Sequence, residues 1–255
     1  IANEVPREFK HIESIDFEHV WFSYDNNDVY ALEDFTLSIK AGEFIGIVGP
    51  SGSGKSTLLS LLMGLYKPTK GAIYINGIDI AKYDSSVLRH LMGYVFQQAY
   101  LFKGSIKDNL TLFDTSISYD DMVAAAKQVN LDSMIEQLPE GYHTPVGYLG
   151  SLLSDGQKQL LAFGRTLIRK TPILLLDEAT ANIDSHTEKQ IQASIENIRG
   201  SKTIVSIAHR LSTVQDANKI VYMEYGKIIE KGSFEELINS KGAFYNLWSN
   251  QQSGS

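Results

Sequence analysis

Gly49-Pro50-Ser51-Gly52-Ser53-Gly54-Lys55-Ser56-Thr57 is the stretch on which the reading of this chain turns. It follows the apolar Phe44-Ile45-Gly46-Ile47-Val48 and opens onto Leu58-Leu59-Ser60-Leu61-Leu62, giving a strand, a glycine-rich loop and a helix. Glycines let such a loop curl until successive backbone N–H groups face one phosphate, and the new helix adds its positive N-terminal end. Lys55 can reach the β- and γ-phosphates, and the Ser56 hydroxyl can ligate Mg²⁺. A nucleoside triphosphate is therefore the expected ligand, with Gly49, Ser51, Gly52, Ser53, Gly54, Lys55, Ser56 and Thr57 around its phosphates.

Composition bounds the rest. At 255 residues and 43% hydrophobic, the chain can bury one large core, or a core with a satellite subdomain. A formal charge of −7 without any basic stretch argues against a general nucleic-acid binder. The absence of cysteine excludes disulfides and thiolate metal sites, and fits a reducing compartment. No apolar run approaches the length that spans a bilayer, and no signal-peptide pattern is present. A membrane role must come through another segment or subunit. The start at Ile1 and the tail over 251–255 lead us to expect a domain cut from a longer polypeptide.

Upstream of the loop, residues 1–13 are polar and read as a linker. Ile15–Tyr24 predicts a strand with Phe22 and Tyr24 on one face, Asp25–Asp28 a turn, and Tyr30–Lys40 a second strand. Gly71–Gly77 reads as hairpin-like and Met92–Phe96 as a strand ending at Gln97. Helices are expected over Ser105–Leu110, Tyr119–Asn130 and Ser133–Leu138, then a loop over Gly141–Gly150 and a long helix over Ser154–Arg169. Residues of about 100–160 thus form a helical insertion. Ile173–Leu176 and Thr203–Ala208 read as buried parallel strands, with an amphipathic helix over Asp184–Arg199 between them. Val221–Glu224 and Lys227–Glu230 predict a hairpin, followed by helices over Phe234–Asn239 and Ala243–Asn250. Alternating strands and helices imply a doubly wound sheet whose ligand lies beyond the strand carboxyl ends, where Gly49, Gln97, Asp177 and His209 fall.

Asp177-Glu178 ends one such apolar strand. One carboxylate can hold Mg²⁺, and its neighbour can orient or activate an attacking water. Taken singly, several candidates have other uses: Tyr24 as a core aromatic, Gln97 as a strand cap, and His209 as a satisfied core histidine. Asp184 and Ser154 could equally be helix caps.

Their order along the chain settles on one pattern. With Leu153-Ser154-Asp155-Gly156-Gln157-Lys158-Gln159 one helix before Asp177, the chain resembles the ATP-binding cassette (ABC) family over nearly its whole length. The resemblance implies an α/β fold: a phosphate-loop NTPase core of RecA type, an antiparallel β subdomain and an α-helical insertion. Residues 14–250 would form the cassette. Tyr24 would stack on adenine, Gln97 would be the Q-loop residue, Ala181–Asp184 the D-loop and His209 the switch histidine. Glu178, His209, Gln97 and Lys55 would be catalytic, while Ser56, Gln97 and Asp177 would serve Mg²⁺. Ser154, Gly156 and Gln157 would meet ATP held by a second cassette, in a homo- or heterodimer that hydrolysis releases.

Leu101–Asn109 resembles the exporters that carry cassette and membrane domain in one chain, which implies a transmembrane domain upstream and a place at the cytoplasmic membrane face. Tyr100–Lys103 would then contact that domain. The chain departs from the family in two respects: Asp155 stands where the signature usually has glycine, and Tyr148-Leu149 replace an acidic–basic pair. The mixture suggests the competent half of a heterodimeric exporter. An importer subunit, a non-transport cassette and a nucleoside kinase are the alternatives. The chain has neither the heptads nor the repeat of the second, and the kinase leaves the signature and His209 without roles.

Overall fold

The computed structural model describes residues 11–25, 28–96, 99–147, 152–177 and 185–253. In chain order, its first half contains β1 (Ser14–Phe22), β2 (Leu32–Lys40), β3 (Phe44–Val48), α1 (Lys55–Leu62), β4 (Lys70–Ile75) and β5 (Ile78–Asp79). Next come α2 (Ser85–Leu91), β6 (Met92–Val95), α3 (Ile106–Thr111), α4 (Tyr119–Gln128) and α5 (Asp132–Glu136). The remainder is α6 (Asp155–Ile168), β7 (Ile173–Asp177), α7 (Ser185–Ile198), β8 (Thr203–Ile207), β9 (Lys219–Glu224), β10 (Lys227–Gly232), α8 (Phe234–Ser240) and α9 (Ala243–Ser253).

These strands form two sheets. One is antiparallel, in the order β2-β1-β4-β5; the other runs β10-β9-β3-β8-β7-β6 and is parallel apart from β10. β3 and β8 are buried at every residue, as befits strands covered on both faces. Successive side chains of β3 point to opposite sides. Phe44 and Val48 join a core with α3–α7, whereas Ile45 and Ile47 join a second core with α1 and the antiparallel sheet. The parallel sheet is thus the wall between two cores.

The antiparallel sheet departs from simple alternation. His19 and Asp34 face each other across β1 and β2 with φ of 47° and 51°, and their side chains bond at 2.6 Å. Each is an outward bulge, which turns Glu18 and His19 both to solvent and returns Val20 and Phe22 to the core. The strand ends at Phe22, so Tyr24 lies beyond it; its ring packs edge-on against Phe22 at 4.8 Å while remaining 54% exposed.

The helical side follows the expected faces. Met122, Ala125, Ala126 and Val129 are buried, as are Leu160, Leu161, Phe163, Leu167 and Ile168. Ser105 and Ser154 begin their helices as caps rather than as first turns, each in a reciprocal box with Asp108 and Gln157. α2 is an addition to the sequence reading. It has seven residues and buries only Leu88 and Leu91, too few to show a helical period.

Candidate nucleotide site

The phosphate loop joins β3 to α1 and is shaped by close backbone packing. Gly49 adopts a φ of 150°, and a β-carbon there would overlap the Met223 carbonyl oxygen of β9. Gly54, at φ 98°, sits where a β-carbon would be 2.5 Å from the Ala31 carbonyl. The β9–β10 turn braces the loop as well: the Gly226 N–H donates to the Ser53 carbonyl at 3.0 Å. Gly226 was not apparent as a loop support in the sequence, because only tertiary packing brings that turn here.

Lys55 is buried, and its ammonium donates to the Gly49 carbonyl at 2.7 Å, the Pro50 carbonyl at 2.8 Å and Ser53 Oγ at 3.2 Å. All three ammonium protons are accounted for. Burial holds its pKa below the usual lysine range, against the opposing pull of the Asp177 charge. Asp177 ends β7, and Ile47, Ile207 and Asp177 form one register row across β3, β8 and β7. Two strand spacings, about 9.6 Å, therefore separate Asp177 from the strand that feeds the loop. The Tyr94 hydroxyl donates to Asp177 Oδ2 at 3.1 Å, and burial followed by that carboxylate's charge keeps the phenol well above its ordinary pKa.

A cavity of about 300 Å³ gathers these parts. Tyr24, Ala31, Ser51, Gly52, Lys55 and His209 are among the residues that line it, with Gly54, Ser56, Thr57 and Ile207 beside them. Three segments distant in sequence meet here: the turn after β1, the phosphate loop, and the end of β8. The Tyr24 hydroxyl bonds Thr57 Oγ1 at 2.8 Å, and Tyr66 packs edge-on against the Tyr24 ring at 5.4 Å. Tyr66 carries no motif signal. Ser56 and Asp177 offer a hydroxyl and a carboxylate, the hard oxygen donors that suit Mg²⁺, an ion that keeps several waters and draws further ligands from phosphate. Gln97, Glu178 and Ala181–Asp184 lie outside the described residues, as do Tyr148 and Leu149.

The signature residues stand apart from this cavity, at the start of α6. Ser154 Oγ accepts the Gln157 N–H at 3.1 Å, and Gln157 Oε1 accepts the Ser154 N–H at 2.9 Å. That use of the serine oxygen leaves its O–H as a donor. Gly156 lies against Thr187 of α7 with no room for a β-carbon. Asp155 is turned along the helix, its carboxylate exposed and 3.1 Å from Lys158 Nζ. The carboxylate thus points along the first turn, where its charge suits the positive helix end.

A family model described as ABC transporter matches residues 32–181. The chain is 44% identical over 234 residues to the toxin RTX-III translocation ATP-binding protein of Actinobacillus pleuropneumoniae, a match covering 91% of this chain and 33% of that protein. It is 41% identical over 234 residues to the ATP-dependent lipid A-core flippase of Alkalilimnicola ehrlichii, covering 91% of this chain and 40% of the flippase. Among solved structures, a bacterial Atm1-family ABC exporter with ATP bound matches with a TM-score of 0.88 at 38% identity, over 97% of this chain and 43% of that one. The chain accordingly spans two fifths or less of these curated relatives.

Proposed function

The chain belongs to the ABC transporter family, and from that premise we propose that it is the ATP-binding, ATP-hydrolysing cassette of an exporter. It pairs with a second cassette on ATP and drives a substrate across a membrane through a transmembrane domain. The cassette runs from residue 14 through the end of α9 at Ser253, three residues beyond the 250 expected from the sequence because α9 continues through Gln251–Ser253, with 1–13 as the linker to a membrane domain upstream, at the cytoplasmic membrane face. The observation that carries the reading is the convergence of Tyr24, the phosphate loop and His209 on one cavity.

The residues divide the work. Tyr24 offers a ring face to adenine, and the loop's N–H groups receive the phosphates. Lys55 exchanges loop acceptors for phosphate oxygens. Ser56, Asp177 and Gln97 would hold Mg²⁺, which would neutralise phosphate charge. Glu178 orients the attacking water, and His209 contacts the γ-phosphate. Ser154, Gly156 and Gln157 present the N-terminus of α6 to the nucleotide held by the partner cassette.

Tyr24→Ala is expected to weaken MgATP binding about tenfold by calorimetric titration, since stacking on a base contributes roughly 1–3 kcal/mol. Tyr24→Phe keeps the ring, loses the bond to Thr57, and should bind within about threefold of the parent chain. Equal losses in the two variants would argue against stacking. For the reading as a whole, the test is the molar mass of Glu178→Gln by light scattering, with and without MgATP. Doubling on ATP supports a cassette that closes on its own copy. A monomer that still binds ATP points to a different partner cassette, and failure to bind MgATP at all overturns the reading.

A further inference from the structure

α9 is fastened at both ends. At its start, Glu230 of β10 accepts the Ala243 N–H at 3.1 Å and the Phe244 N–H at 2.9 Å, while Phe244 is fully buried and packs edge-on against Phe234 at 5.9 Å. A carboxylate on the first N–H groups satisfies donors that the helix itself cannot. At its far end, Gln251 Nε2 donates to the His209 carbonyl at 2.8 Å, and Gln251 Oε1 accepts the Leu211 N–H at 3.1 Å. One amide therefore holds the main chain on both sides of Arg210, using both of its ends.

This clamp falls on the turn that carries His209 into the cavity. The neighbouring backbone is also occupied: Ala208 N–H donates to the Ile47 carbonyl at 3.0 Å, and the Arg210 carbonyl accepts from Thr213 Oγ1 at 2.7 Å. Glu188 of α7 steadies the following residues through the Arg210 guanidinium and through the Ser212 hydroxyl, the latter at 2.7 Å. Glu188 bonds side chains downstream, whereas Gln251 bonds the peptide group of His209 itself. The imidazole is left exposed on a fixed backbone.

We propose that Gln251 is a positioning residue for ATP hydrolysis: from the end of α9 it sets the main chain that aims His209 at the γ-phosphate. The proposal rests on the reading of His209 given above. An exposed ring keeps its rotamer freedom, so what the main chain sets is the position and the Cα–Cβ direction from which those rotamers reach toward the cavity. Gln251 makes the C-terminal helix part of the hydrolytic apparatus without touching nucleotide.

The test uses the intact gene product and four variants: Gln251→Leu, Gln251→Glu, His209→Ala, and Gln251→Leu combined with His209→Ala. Gln251→Leu removes both bonds; Gln251→Glu keeps the acceptor for Leu211 but sets a carboxylate oxygen against the His209 carbonyl. Each is expected to lower kcat about tenfold while KM for MgATP and the nucleotide Kd stay within about twofold, the pattern of lost alignment. In the His209→Ala background, Gln251→Leu should change the residual rate by less than about twofold, because two residues acting through one group are not additive. Gln252→Leu, one position further on an exposed face, should leave kcat unchanged. An unaltered kcat in Gln251→Leu overturns the proposal. So does an equal loss in both backgrounds, or a loss of nucleotide binding with Tm, which would mark Gln251 as a residue of the fold. If His209→Ala alone retains the parent rate, the role of His209 fails first, and the proposal falls with it for a separately visible reason.

Discussion

Lys55→Met should lower ATP hydrolysis by about a thousandfold, the scale seen when a preorganised charge facing phosphate or oxyanion is removed. Methionine keeps a stem of about the same length, with sulfur for one methylene, and lacks the ammonium. In the structure that ammonium draws together the Gly49 and Pro50 carbonyls and Ser53 Oγ, so it shapes the loop as well as meeting phosphate. Folding should change little, because two effects oppose. Burial disfavours the charged lysine, whose folded pKa lies below its ordinary value, so at neutral pH the charge costs folding free energy that methionine does not. Against this stand the lost bonds to the loop, roughly 1 kcal/mol each after exchange with water. The expected pattern is a Tm within a few degrees of the parent beside a collapse of turnover and of MgATP affinity, read by calorimetry and phosphate release. Near-parental hydrolysis would remove the phosphate loop from the mechanism.

Gly49→Ala should cost the fold roughly 3–4 kcal/mol, adding backbone strain to overpacking. The new methyl group would overlap the Met223 carbonyl and lie 3.0 Å from Ser53 Oγ. Met223 is fully buried, in a strand paired with β3 on one side and β10 on the other, so its carbonyl cannot move without the sheet. Gly52→Ala is the comparison. Gly52 has a φ of 78° but nothing within 4 Å of a built β-carbon, so it should lose only the strain of a left-handed residue, about 1 kcal/mol. Thermal unfolding should separate the two by several degrees, Gly49→Ala being the lower. Equal midpoints would show that the carbonyl of β9 yields, and that the loop is not braced by that strand.

Long apolar runs carried most of the architecture in the sequence. Ile173–Leu176 and Thr203–Ala208 read as strands covered on both faces, and α6 displayed its buried side through Leu160, Leu161 and Leu167. Local chemistry that breaks a period was hidden. The paired bulges at His19 and Asp34 place non-glycine residues at positive φ, which no composition signal marks, and they reset the alternation before Phe22. In the site, the motif order picked out Tyr24, the phosphate loop and His209, which line one cavity. The same reading could not find Tyr66, Glu188, Gly226 or Gln251. Each acts at a place its sequence neighbours do not reach; Gln251 lies 42 residues from the carbonyl it binds.

The wall between the two cores also separates the packing of the two helices that carry the nucleotide motifs. α1, which follows the phosphate loop, roots Leu58, Leu59, Leu61 and Leu62 in one core, while α6 roots Leu160, Leu161, Phe163 and Leu167 in the other. The parallel sheet keeps those two sets of side chains apart. A substitution at the start of α6 therefore need not repack the side chains that anchor the phosphate loop.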